Sequence, residues 1–205
     1  MRTGGVVLCG GRSSRMGRPK AWLAFGDELM LQRVVRVLRE VVDPVVVVAA
    51  PGQDVPPLPD TVEIVRDEVE GRGPLQGLAA GLAALEGKAD AAYLSSCDVP
   101  FLTAAFVRRM IALLGDAMVC VPHVAGYHHP LAAVYRVSVL LHVRELLAAN
   151  RLRPVFLFDA VPTRVIEPHE LADIDPEFRS LRNLNTPEDY AAALRESPEQ
   201  GASAP

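Results

Sequence analysis

The chain has 205 residues, half of them apolar and only 5% aromatic, with 22% charged and a formal net charge of -4. That length is ample to bury a core, and a Val, Leu and Ala interior suits a parallel sheet covered by helices better than an aromatic-rich sandwich. The acidic balance excludes general nucleic-acid binding, which needs a basic face, and no apolar run approaches the ~18 residues of a membrane span.

In chain order, Val6, Val7, Leu8 and Cys9 predict a buried first strand that runs straight into Gly10-Gly11 and a loop reaching Lys20. Leu31, Val34, Val35, Leu38, Val41 and Val42 then share one helical face, with Arg33, Arg36, Arg39 and Glu40 opposite, and Asp43-Pro44 breaks that helix. Residues 45–50 read as a continuous apolar strand, 51–59 as a Pro-rich surface loop and 62–65 as a short strand. A small-residue helix over 75–85, a buried strand over 91–95, a helix over 104–114 and a strand over 117–121 follow. The rhythm then loosens into a strand over 131–135, a helix over 138–149 and a strand over 161–166. Thr186 caps a last helix, with Pro187 in its first turn and Glu188 and Asp189 favouring its positive end. Residues 197–205 read as a disordered polar tail. The alternation predicts one α/β domain over 1–196, a Rossmann-like three-layer α/β/α arrangement with an open, mostly parallel sheet.

The loop after the first strand is the most informative segment. Gly10 and Gly11 allow a sharp turn and a close approach of backbone N–H groups to a ligand, and Arg12, Arg15, Arg18 and Lys20 place four cations within nine residues. In an acidic chain that local excess points to phosphate. Only two of the 21 basic residues are lysine, Lys20 and Lys88. A lysine inside this loop fits a need for a compact ammonium rather than a planar fork. The spacing fits neither a Walker A loop nor a dinucleotide Gly-x-Gly-x-x-Gly turn.

Ligands of open α/β sheets bind outside the carboxyl ends of the strands. Asp98, at such an end and followed by Val99-Pro100, suits either a Mg²⁺ ligand or a turn residue. Gly73-Pro74 opens a helix whose N-terminus can face an anion, with Gly77 and Gly81 on the same face; close helix–sheet packing accounts for Gly81. Asp67 and Glu68 are polar candidates for a nucleotide contact or simply solvated loop residues. Adjacent His128 and His129 point to opposite faces of an extended segment, so they do not chelate one ion together. Asn183 and Asn185 share a face as hydrogen-bonders or turn-formers. Cys9, Cys97 and Cys120, odd in number and widely spaced, predict reduced thiols in a cytoplasmic protein.

Together these segments resemble the molybdenum cofactor guanylyltransferase family from Val6 to about Tyr190. The resemblance rests on Leu8-Cys9-Gly10-Gly11-Arg12-Ser13-Ser14-Arg15-Met16-Gly17 with Lys20, then Gly73-Pro74-Leu75-x-Gly77, Cys97-Asp98-Val99-Pro100, His129-Pro130-Leu131 and Asn183-Leu184-Asn185-Thr186-Pro187-Glu188. It implies transfer of GMP from GTP to molybdenum-bearing molybdopterin with release of pyrophosphate and with Mg²⁺ as cofactor. Molybdoenzymes or their chaperones are the implied recipients, and neither nucleic acid nor membrane is a partner. On the same basis Leu8, Cys9, Gly10, Gly11, Arg12, Asp67 and Gly77 contact the nucleotide, and Lys20 binds its triphosphate. Arg15 joins Lys20 and Asp98 in catalysis, Asp98 holds the metal and with it a phosphate oxygen of the nucleotide, and Asn183 and Asn185 approach the pterin. Two departures stand out: Cys9 replaces the usual Ala, and Ala49-Ala50 lacks the Asn with which relatives contact base or ribose. Gln53 is then the nearest polar substitute, and Gly10 leaves room for a purine. A molybdopterin cytidylyltransferase, another small-molecule nucleotidyltransferase such as one acting on a sugar phosphate, and a non-catalytic nucleotide or pterin carrier are the competing expectations.

Overall fold

The computed structural model describes residues 1–10, 18–67, 69 and 71–196. In chain order the elements are β1 (Thr3–Leu8), a 3-10 turn at Lys20–Trp22, β2 (Ala24–Phe25), β3 (Glu28–Leu29), α1 (Met30–Arg39), β4 (Val45–Ala49) and β5 (Glu63–Arg66). Next come α2 (Pro74–Leu85), β6 (Ala91–Ser96), α3 (Ala104–Leu113), β7 (Val119–Val124), β8 (Tyr127–His128) and β9 (Ala132–Arg136). The chain continues through α4 (Leu140–Ala148), α5 (Val155–Ala160), β10 (Thr163–Ile166) and α6 (Pro187–Arg195). All but β2 and β3 form one sheet in the order β10-β7-β9-β6-β1-β4-β5, with β8 beside β7. Only β8 and β9 run against the others, so the sheet is mostly parallel as expected.

Period-two alternation along the central strands splits the core into two layers. Val7, Val45, Val47, Ala91 and Tyr93 face α1 and α3, while Val6, Val46, Val48, Ala92 and Leu94 face α2, α4 and α5. Strands buried on both faces read as continuous apolar runs, which is why Val45–Ala49 carries no polar residue. The expected helical stripe is the buried one: Leu31, Val34, Val35 and Leu38 of α1 are all shut away from solvent. Among the described residues no helix is long and apolar enough to cross a membrane.

Gly77 and Gly81 set how closely α2 lies on the sheet. A Cβ at Gly81 would stand 2.4 Å from one Val6 Cγ and 2.9 Å from the other, and one at Gly77 would stand 3.0 Å from Leu8 Cδ2. Val6 is β-branched and fixed in the central strand, so it has no alternative rotamer to retreat into. Gly81→Ala is therefore expected to destabilise by about 2 kcal/mol, as overpacking does. That lowers Tm by roughly 4–8 °C in a chain of this size. A thermal melt within 1 °C of the parent would show that helix and strand are less closely fitted than this.

The sequence reading omits three short features. The two-residue strands β2 and β3 pair as a hairpin around Gly26 and Asp27, β8 pairs with the end of β7, and α5 fills what looked like loop. The predicted tail beyond residue 196 lies outside the described residues.

Candidate functional site

The order of connections reverses at β1: the chain leaves it toward β4 on one side and returns to β6 on the other. The carboxyl ends of these two strands therefore open a crevice at the switch point, the usual ligand position in such sheets. A cleft of about 750 Å³ lies there. Its walls include Leu8, Cys9 and Gly10 after β1, Ala49 and Ala50 after β4, and Asp67 after β5. Gly73, Pro74 and Gly77 come from the start of α2, and Ser96, Cys97 and Asp98 from the end of β6.

Three remote segments meet at one carboxylate. Lys20 Nζ donates to Asp98 Oδ2 at 2.6 Å and to Asn185 Oδ1 at 2.9 Å. Asn183 Nδ2 donates to Asp98 Oδ1 at 2.7 Å and to Ser96 Oγ at 2.9 Å. The Asp98 carbonyl accepts from Leu184 N at 3.0 Å, which ties the 183–185 segment to the end of β6. Asp98 itself is only 6% exposed, so its charge needs these partners. As expected, Asn183 and Asn185 share a side, and both join the ammonium–carboxylate cluster.

Packing beneath the cluster fixes Lys20. Leu184 and Ala193 pack with Leu23, Phe25 and Met30, and the Tyr190 hydroxyl donates to the Ala24 carbonyl. The last helix thus holds the β2–β3 hairpin, whose leading turn carries Lys20. Thr186 caps that helix reciprocally with Asp189, as its position in the sequence predicts.

At the start of α2, Gly73 has φ +74, a conformation glycine adopts without strain, and Pro74 opens the helix. The N-terminal end of α2 thus faces the cleft and favours an anion. Gly77 lines the cleft, yet its missing side chain also accommodates Leu8.

Gln53 does not offer its amide to the cleft, contrary to the expectation placed on it. Its Oε1 accepts from Ala50 N at 3.0 Å and its Nε2 donates to the Cys9 carbonyl at 3.0 Å, clamping the ends of β1 and β4 together. Two backbone groups leaving the ladder need partners, and Gln53 supplies both. Gly10 stands close by: a Cβ there would lie 3.2 Å from Ala50 N. Asp67 lines the far wall, its Oδ1 accepting from Val69 N at 3.2 Å. Gly11, Arg12, Arg15 and Glu68 lie outside the described residues.

Cys9 lines the cleft as the resemblance implies, whereas Ser96, which accepts from Asn183, and Cys97 were not singled out as site residues. Ser96 lies two positions before Asp98, a spacing that puts both on one side of an extended chain. The neighbouring Cys97 thiol draws the Cys9 thiol below its ordinary pKa, whereas the Cys9 thiol and then burial push Cys97 well above. His129 is half-buried and its pKa is lowered by that burial. It lies near His123 and His128, whose rings approach at 4.9 Å.

Among the described residues no three His, Cys, Asp or Glu side chains converge as a metal cage. A single buried carboxylate beside an anion-favouring helix end instead fits a hard divalent cation that takes its other ligands from phosphate oxygens and water. Asp98 is that carboxylate.

The MobA-like NTP transferase domain matches residues 5–163. A protein of Mycolicibacterium paratuberculosis named probable molybdenum cofactor guanylyltransferase is 38% identical over 198 residues, covering 94% of this chain and 95% of the relative. Among solved structures, molybdopterin-guanine dinucleotide biosynthesis protein A from Archaeoglobus fulgidus superposes with a TM-score of 0.76 at 19% identity, over 96% of this chain and 98% of that one. A Mycobacterium tuberculosis protein solved as its manganese complex superposes with a TM-score of 0.65 at 20% identity, over 95% and 99%. The chain belongs to the MobA-like family of molybdenum cofactor guanylyltransferases and is a nucleotidyltransferase.

Proposed function

We propose that this chain transfers GMP from GTP to molybdenum-loaded molybdopterin, releasing pyrophosphate, as one domain over residues 1–196 of a cytoplasmic protein. The observation that carries the reading is the convergence of Lys20, Asp98, Asn183 and Asn185 at the mouth of a cleft large enough for a nucleotide. The name carried by a relative 38% identical over nearly the whole chain, probable molybdenum cofactor guanylyltransferase, supports the choice of substrates.

In the transfer, a phosphate oxygen of the pterin bonds to the α-phosphorus of GTP, and the bond from that phosphorus to the bridging oxygen of the β-phosphate breaks. The attacking phosphate is already ionised, so the site needs no general base. It has to align the groups and offset the charge that builds on the leaving pyrophosphate. Lys20 supplies an ammonium for the triphosphate, and the N-terminal end of α2 and the backbone around Gly10 supply N–H groups. Leu8, Cys9, Asp67 and Gly77 form the nucleotide walls; Gly11 and Arg12 are assigned to the nucleotide and Arg15 to catalysis. Asp98 would hold Mg²⁺, which when bound would offset the negative charge of the triphosphate. A protein of the same fold was solved as a manganese complex, which supports a divalent ion as cofactor. Asn183 and Asn185 lie on the same rim and are assigned to the pterin side. Molybdoenzymes or their chaperones are the assigned recipients of the product.

Base choice is tested by comparing GTP with CTP as the varied nucleotide at fixed Mg²⁺ and pterin. Guanylyl transfer predicts product with GTP and little with CTP. Product with CTP alone would keep the phosphate chemistry and overturn the base assignment. Tight binding without turnover by either would favour a carrier.

A further inference from the structure

Cys9 and Cys97 stand one position past the last register pair of two adjacent parallel strands, Leu8 with Ser96. The backbone keeps them together there, since Cys97 N donates to the Leu8 carbonyl at 3.1 Å. Neighbouring parallel strands lie about 4.8 Å apart, inside the roughly 4.4–6.8 Å Cα separation that a disulfide spans. Both side chains point to the same face, into the core layer under α1 and α3, and each thiol is near enough to perturb the ionisation of the other. Both residues also line the cleft, which gives a small molecule a way in that Cys120, buried within β7, lacks.

We propose that Cys9 and Cys97 form a reversible dithiol–disulfide site in the floor of the cleft, with low-molecular-weight disulfides as its reaction partners. The inference rests on the reading of the cleft as a nucleotide site. One protein thiolate attacks a sulfur of the small disulfide, giving a mixed disulfide and releasing one small thiolate. The second protein sulfur then attacks the first, forming the Cys9–Cys97 bond and releasing the other small thiolate. The protein loses two hydrogens as protons and two electrons, and these reduce the small disulfide to two thiols.

Oxidation acts on the site through its neighbours. Cys9 precedes Gly10 and accepts through Sγ from Gln53 Nε2 at 3.4 Å, so drawing that sulfur toward Cys97 pulls against the clamp between β1 and β4. Cys97 precedes Asp98, the carboxylate on which Lys20 and Asn183 converge. A disulfide brings its sulfurs to about 2.0 Å, closer than two unbonded thiols can stand, so both elements shift toward each other. A displacement on the order of 1 Å in such a site costs up to about 10²-fold in rate.

The test exposes the full-length protein to oxidised glutathione over a range of redox poise. Free thiols are then alkylated, the peptides mapped by mass, and binding of a fluorescent GTP analogue measured in parallel. The expected results are a Cys9–Cys97 crosslink about 2 Da lighter than the dithiol pair, loss of nucleotide binding with the same midpoint, and recovery with dithiothreitol. Bound GTP should slow the oxidation. Cys97→Ser should abolish the sensitivity and Cys120→Ala should retain it. Glutathione adducts without a crosslink, or a crosslink that leaves nucleotide binding unchanged, would overturn the proposal. The peptide map on the parent chain decides the first point even where Cys97→Ser does not fold. If the reduced protein binds no GTP analogue at all, it is the nucleotide reading that fails, and the crosslink result stands apart from it.

Discussion

Asp98→Asn lowers nucleotidyl transfer by roughly 10²–10³-fold, the scale of losing one electrostatic contact to the reacting phosphates, while the protein remains folded and still binds GTP. The carboxylate accepts from Lys20 through Oδ2 and from Asn183 through Oδ1. An amide has a single acceptor oxygen, and its NH₂ group would face one of those two donors. The substitution also removes the negative charge that balances Lys20 and suits a divalent cation. Binding of the triphosphate, driven by the remaining cations and N–H groups, is expected to change only a few-fold, so the loss falls on kcat. Steady-state kinetics with a thermal melt and an equilibrium GTP titration separate these effects. Turnover near the parent value in folded Asp98→Asn would remove this carboxylate from the mechanism.

Lys20→Ala is expected to give a similar loss of transfer, roughly 10²–10³-fold, but with a different signature. Here triphosphate binding weakens together with kcat, because the ammonium that addresses the phosphates is gone. The substitution also leaves Asp98 buried with one donor fewer, at a cost of about 1–3 kcal/mol in stability. Lys20→Arg separates the two consequences. A guanidinium restores the charge beside Asp98 and most of the stability, but its longer planar fork does not reproduce the reach of an ammonium bonded to both Asp98 and Asn185. Recovery of full activity by Lys20→Arg would show that only charge, and not placement, is required.

What could be read from the chain alone follows from which forces act locally. The apolar run over 45–50, the α1 stripe and the Gly81 approach are dictated by near neighbours and appear where expected. The direction of β9 is not carried by its residues, since an apolar pattern reads the same in reverse. Connection length did carry it: the seven residues between Val124 and Ala132 are too few for a parallel crossover, so the strand had to turn back. The β2–β3 hairpin and α5 are too short for any periodicity to register, although Gly26-Asp27 is a turn signal.

The site divides in the same way. Lys20 and Asp98 could be singled out from a cation-rich glycine loop and a strand end. Their direct ion pair, and the arrival of Asn185 on the same ammonium 165 positions away, are products of the fold. Gln53 shows the opposite error. A polar residue near the right strand was assigned to ligand, whereas two backbone groups at the ends of β1 and β4 claim it first. Cys9 and Cys97 read as two isolated buried thiols because nothing local announces that β1 and β6 are neighbours.

The central claim, guanylyl transfer to molybdenum-loaded molybdopterin, is tested most directly by following the label of GTP carrying radioactive phosphorus at either the α or the γ position. Purified protein, Mg²⁺ and the loaded pterin should move the α label into a pterin dinucleotide and the γ label into pyrophosphate, in equal amounts. Release of the γ label as inorganic phosphate, or an α label that never leaves the free nucleotide pool, would contradict the account.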